Sequence, residues 1–151
     1  MHPVARLVAF ARPFVAFADT WLRPLALVWA RVVVGLVFFR SGLTKLDDWQ
    51  TTLLLFTEEY HVPLLPPAVA AALGTAGEVL LPPLLIAGLA GRFAAAGLFV
   101  VNATAVISYP ALTETTREFH LYWAMLLALV ASVGPGTLSL DAWLCRRARA
   151  A

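Results

Sequence analysis

The 151-residue chain is 61% hydrophobic and 13% charged, against roughly 45–50% and 25% in an ordinary soluble domain, so a water-solvated globule is excluded and one membrane-embedded domain is expected. A net charge of +2, with arginines gathered near the chain ends and helix ends and not in a run, argues against nucleic acid as a partner. The single cysteine, Cys145, excludes an intramolecular disulfide and a CxxC redox pair.

At the N-terminus, Ala16-Phe17-Ala18 before Asp19 has the form of a signal-peptidase site, but Arg12 and Pro13 interrupt the apolar stretch such a signal needs. Residues 4–18 read better as an amphipathic helix on the membrane surface. Arg6 and Arg12 would lie at the headgroups while Phe10, Phe14 and Phe17 dip inward. Residues 1–23 are thus an interfacial segment, 24–145 the membrane domain and 146–151 a basic cytoplasmic tail.

A hydrocarbon layer about 30 Å thick needs roughly 20 apolar residues per helix. Four segments approach that: Pro24–Leu46, Pro67–Leu89, Phe93–Tyr109 and Phe119–Val133, the last being short for a span. The fold class is therefore all-α, a polytopic bundle of four transmembrane helices. Arg6, Arg12, Arg23, Arg31, Arg92, Arg146, Arg147 and Arg149 fall on the side of the termini, and Arg40, Lys45 and Arg117 on the other. That bias places both termini in the cytoplasm of a bacterial inner-membrane protein.

Between the first two spans, Trp49, Leu53 and Phe56 recur near one helical turn apart, which predicts a short interfacial helix on the periplasmic face, ended before Pro63. Pro66-Pro67 then opens the second span. The connections Ala90–Arg92 and Pro110–Glu118 are short enough to force antiparallel neighbours.

Ionisable residues inside a span are costly and usually face the bundle interior. Glu78 lies in the middle of the second span on a stripe with Ala70, Gly74, Gly77 and Leu81, and Pro82 and Pro83 leave the carbonyls of Glu78 and Val79 without their helical donors. Two readings stay open for it, a ligand-facing acid or a clamp between helices. In the first span Arg31, Gly35, Phe38, Gly42 and Lys45 share one face, whose glycines indicate close packing. Arg31 is expected to reach Glu78, with Asn102 of the third span completing the hydrogen bonds, and Arg40 to snorkel to the headgroups. Asn102 either bridges helices or contacts a ligand.

The outer mouth collects Lys45, His61, His120, Tyr122 and Trp123 as candidate ligand-binding residues, beside Trp49 and Phe56. The same aromatics also fit an interfacial belt. His61 and His120 lack a local ligand motif, so no metal is expected. No Walker loop, GxGxxG, GxSxG or HExxH is present, so catalysis would be borrowed from a small molecule or a partner.

The series Arg31, Gly35, Phe38, Gly42, Lys45-Leu46, then Glu78, Gly88-Leu89 and Arg92-Phe93, closed by Gly134-Pro135-Gly136-Thr137-Leu138-Ser139-Leu140-Asp141, resembles the DoxX family of four-helix membrane proteins over about residues 25–145. The resemblance implies a link to membrane subunits of thiosulfate:quinone oxidoreductases and other redox-associated complexes. Nothing in the chain marks thiosulfate as a substrate. The stretch Glu58–Pro63 looks like a subgroup feature without a derived meaning.

Two functions are carried forward. One is a redox-associated, quinone-linked membrane subunit, with a quinone as the cofactor and catalysis, if any, belonging to the complex. The other is a non-catalytic scaffold, assembly factor or small conduit serving a redox or peptide-modifying partner enzyme or an exported metal-handling peptide. The bilayer is a partner in both, and self-association into a homo-oligomer is open.

Overall fold

The structure, a computed structural model, describes residues 3–150; the side chain of Arg6, expected at the headgroups, lies outside the described residues. Among the described residues every regular element is helical: α1 (Pro3–Phe17), a π turn (Ala18–Leu22), α2 (Arg23–Asp47), α3 (Trp49–Glu58), α4 (Pro67–Ala87), α5 (Gly91–Ser108), α6 (Glu114–Val133) and α7 (Leu140–Ala150). Among the described residues three helices are long and apolar enough to cross a membrane: the continuous helix Ala9–Asp47, then Pro67–Ala87 and Gly91–Ser108. At 39 residues the first is about 58 Å long, well beyond a hydrocarbon layer of about 30 Å, so its N-terminal portion must leave that layer. Within it, Ala18–Leu22 forms a π turn, whose i→i+5 pattern interrupts the α-helical register.

The long helices pack in a ring, α2 on α4, α4 on α5, α5 on α6 and α6 back on α2, while α3 lies against α4 and α2. Small residues make the tightest seam. A methyl group on Gly35 would meet Ile86 at 2.6 Å, and one on Gly42 would meet Val79 at 2.8 Å and the backbone carbon of Glu78 at 3.0 Å. Both glycines let the α2 and α4 backbones approach. Below that seam Val34, Phe38, Leu85, Leu98, Leu127 and Val130 form the core, each no more than 4% exposed.

The elements start and stop where local chemistry dictates. Asp48 caps α3, its carboxylate accepting from the Thr51 amide at 2.9 Å and the Thr51 hydroxyl at 2.6 Å, which holds the Asp48 carboxyl below its ordinary range. Thr113 caps α6 through the Thr116 amide, so α6 begins at Glu114 instead of at Phe119, where apolar character first becomes continuous. Pro82 and Pro83 leave α4 unbroken from Pro67 to Ala87.

The end of the bundle where α4 gives way to α5 and α6 to α7 is held by a latch. Gly88, at φ +66°, ends α4 in the left-handed region, and Ala90, at φ +47°, opens α5. The first amides of α5 are capped from α7: the Asp141 carboxylate accepts from Ala90 at 2.8 Å and from Gly91 at 2.9 Å, while the Asp141 amide donates to the Gly88 carbonyl at 3.0 Å. Arg31 donates to the Leu138 carbonyl at 2.6 Å and to the Leu27 carbonyl at 3.3 Å. Arg92 donates to the Ala131 and Ser132 carbonyls at the end of α6. The motif residues Arg31, Gly88, Arg92, Gly134 and Asp141 thus share a structural task.

Gly88 cannot be replaced cheaply. A side chain there must adopt positive φ, at a cost of roughly 1–3 kcal/mol, and its Cβ would fall 2.1 Å from the Arg31 guanidinium. Gly88→Ala is expected to lower the melting temperature in detergent markedly while Gly74→Ala, whose Cβ meets only Phe56 at 3.6 Å, leaves it near the original value.

Candidate functional site

The charged residues of α2 separate because of helix direction. Every Cα–Cβ bond of a helix tilts toward its N-terminus, and long side chains follow that tilt. On α2 the tilt carries Arg31 away from mid-bundle into the latch and carries Lys45 from the far end back toward the middle. The Glu78 carboxylate therefore pairs with Lys45, whose ammonium donates to Glu78 Oε2 and, at 2.9 Å, to the Ser41 hydroxyl. The expected Arg31–Glu78 pair does not form. Asn102 does not complete it either, being turned toward α6.

The pair lines a cavity of about 230 Å³ between α4 and α5 at the α3 end. Its walls are apolar, from Phe56, Leu73, Val100 and Val101, and its polar groups are Lys45, Glu78, Tyr60 and Thr104. Leu73 and Val100 are exposed on the outer surface of the bundle, so the opening faces sideways, toward lipid in a membrane. Two of the three N–H donors of Lys45 are used, leaving one. Glu78 Oε1 makes no hydrogen bond and is not sealed in the packing. The cavity thus presents one unused donor and one unused acceptor side by side against an apolar wall.

Aromatic rings close the mouth. Tyr60 stacks on Phe56 at 4.8 Å and on Tyr109 at 4.9 Å, with interplanar angles of 15° and 16°. The His61 amide donates to the Ser108 carbonyl at 2.8 Å, tying the loop after α3 to the end of α5. Burial, with the nearby Glu78 carboxylate adding to it, pushes the Tyr60 phenol up, so it remains a neutral O–H donor. Tyr60 and Thr104 were not singled out from sequence. The clues for Tyr60 were its place four residues after Phe56, on the same stripe, and its presence in the Glu58–Pro63 stretch; α3 itself ends at Glu58, short of it.

The remaining outer-mouth candidates are dispersed. His61 is exposed and borders an adjoining cavity. His120 sits on the far side, in a groove between α5 and α6. Tyr122 is exposed, and Trp123 turns inward, edge-on to Phe38 at 5.9 Å and to His120 at 4.9 Å. Lys45 and His120 therefore do not share one cavity, because α6 presents His120 to Asn102. Asn102 Nδ2 donates to the His120 carbonyl at 3.0 Å, and its Oδ1 lies 2.7 Å from His120 Nδ1. A carbonyl only accepts, which fixes the amide's orientation and makes Nδ1 the protonated nitrogen of neutral His120. Among the described residues no group of three or more His, Cys, Asp or Glu side chains could hold a metal ion.

Stability separates the observed pair from the one expected. Lys45→Met and Glu78→Gln should each cost about 3–5 kcal/mol by stranding a buried partner, and the double variant should lose clearly less than the sum in thermal melts. The parallel Arg31→Gln and Glu78→Gln cycle should be additive.

The family model described as DoxX matches residues 26–111, a stretch holding α2 but for its first three residues, α3 to α5 and every residue of the Lys45–Glu78 cavity. No curated protein and no solved structure matches the chain. The match covers more than half of the sequence and includes the glycine seam, the ion pair and Arg31 and Gly88 of the latch; the chain belongs to the DoxX family.

Proposed function

We propose that this DoxX protein is a quinone-linked, redox-associated membrane subunit, and that the Lys45–Glu78 cavity takes the quinone headgroup. The observation that carries the reading is the unused donor of Lys45 beside the unused acceptor of Glu78 in a laterally open apolar cavity. A quinone carbonyl accepts from Lys45, and a quinol hydroxyl donates to Glu78 Oε1, so both redox states find a partner. At about 230 Å³ the cavity suits a ring and not a whole lipid. The isoprenoid tail would leave through the gap between Leu73 and Val100. Electrons would come from, or go to, a partner subunit.

In this reading α6 is the fourth span. Its 20 residues give about 30 Å of helix, with Glu114, Arg117 and Glu118 in the outer headgroups. Both termini face the cytoplasm of the bacterial inner membrane, supported by Arg12, Arg23, Arg92, Arg146, Arg147 and Arg149 at the latch end. The scaffold alternative draws on α1 and α7. Phe10 and Phe14 are exposed on α1, and α7 exposes Trp143, with the Arg147 guanidinium 4.4 Å from its ring.

Orientation is checked by labelling intact cells with an impermeant thiol reagent. Cysteine introduced as Thr57→Cys should react and native Cys145 should not; the reverse pattern contradicts the topology. For the ligand, a short-chain quinone titrated into the detergent-solubilised protein should quench tryptophan fluorescence saturably. Lys45→Gln should weaken that binding about tenfold, equivalent to about 1.4 kcal/mol. Equal affinity in the variant would remove the quinone reading, and copurification of a protein in place of a quinone would favour the scaffold.

A further inference from the structure

The Lys45–Glu78 cavity also has walls in common with a second cavity on the α3 side. It shares Phe56, Tyr60, Val62, Leu65 and Ala70 with an adjoining cavity of about 290 Å³, whose other walls are Thr57, His61 and Pro67. Thr57 and His61 are exposed and Glu78 is buried, so the two cavities lie in series from the surface on the α3 side to the middle of the bundle. In the opposite direction the path is closed by Val34, Phe38, Leu85 and Leu98, each no more than 4% exposed.

Tyr60 borders both cavities. Its ring is fixed by the stack on Phe56 and Tyr109, and its hydroxyl makes no hydrogen bond yet is not sealed in. A phenol held in place and kept neutral can pass a proton without itself ionising, taking one on a lone pair as it releases another. The groups facing Glu78 from each packed element are few. α2 brings Lys45, α3 brings Phe56 without a charge, the loop brings Tyr60, and α5 brings Thr104, with Tyr109 and Glu59 beyond Tyr60.

We propose that Glu78 exchanges its proton with the aqueous phase on the α3 side alone, through Tyr60 and the cavity that His61 borders. Toward Glu78, the Tyr60 O–H bond breaks as its proton passes to Oε1, directly or over water in the inner cavity. The phenol oxygen is reprotonated by water in the outer cavity, which releases hydroxide that the aqueous phase neutralises. The reverse sequence returns the proton, and no electrons move. This does not depend on which small molecule occupies the cavity.

The test uses the whole protein in liposomes with uniform orientation and follows the protonated-carboxyl infrared band of Glu78, identified by its loss in Glu78→Gln. A pH jump on the α3 side should change the band promptly, and the same jump on the latch side should not. Tyr60→Phe, which keeps the ring stack and removes the hydroxyl, should slow the response at least tenfold. Thr57→Cys modified with a bulky impermeant thiol reagent should slow it as well by plugging the outer cavity, a second reading that needs no change at Tyr60. A response driven from the latch side or equally from both sides overturns the proposal. So does an unaltered rate in both the Tyr60→Phe and the plugged protein.

Discussion

A carboxylate between apolar helices must be neutralised, either by a proton or by a counter-charge, and in this protein Glu78 is met by Lys45. The rest of the candidate site depends on that meeting. Gly42 is the structural condition for it, since the α2 backbone runs so close to Glu78 that a methyl group there would lie 3.0 Å from its backbone carbon. The short gap between the helices lets a lysine reach a carboxylate without displacing the core. The unfilled volume beside the pair then becomes a cavity with charged corners and an apolar wall. Removing either charge strands the other, which is costly in a low-dielectric interior, so the pair both fixes the α2–α4 contact and supplies the site's chemistry.

The second charge of the same α2 face serves the opposite end. Arg31 is 2% exposed and holds the Leu138 carbonyl, while Asp141 from the same closing segment caps α5. One helix thus anchors the latch with an arginine and the cavity with a lysine, on a single stripe. The division suits the two side chains. A guanidinium with several fixed donors satisfies stacked backbone carbonyls, whereas a compact ammonium on a flexible stem leaves a donor over for something else.

Much of this was legible in the amino-acid order. The apolar periods located α2, α4 and α5 to within a few residues, the Trp49, Leu53, Phe56 stripe located α3, and the glycines of α2 foretold the seam. The identity of the polar residues was legible; their partners were not. Arg31 and Lys45 share a stripe and differ in height, and spacing alone does not say how far each side chain travels along the helix. The N-terminal tilt of Cα–Cβ bonds decides it, displacing both side chains in the same direction and exchanging the partner of Glu78. His120 was misplaced for a related reason. Its face of α6 was correctly read as inward, but the neighbour on that face is Asn102 and not the outer mouth. Tyr60 escaped notice because its ring is held by Tyr109, a contact between a loop and a helix end that no local period announces.

The family match makes this a DoxX membrane protein, and its described residues place a buried ion pair beside an accessible cavity. In the proposed function this cavity holds a small lipid-soluble molecule. Gly74 borders it with room for a larger side chain, the nearest atom to an added Cβ being Phe56 at 3.6 Å, so Gly74→Leu puts an apolar side chain into the space while keeping both Lys45 and Glu78 in the chain. The direct measurement is native mass spectrometry of the protein released gently from its own membranes. A discrete adduct of quinone mass on the original protein, absent from a Gly74→Leu protein of unchanged helical content, is expected if the cavity holds the quinone; an adduct that survives the substitution, or none in either protein, rules that out.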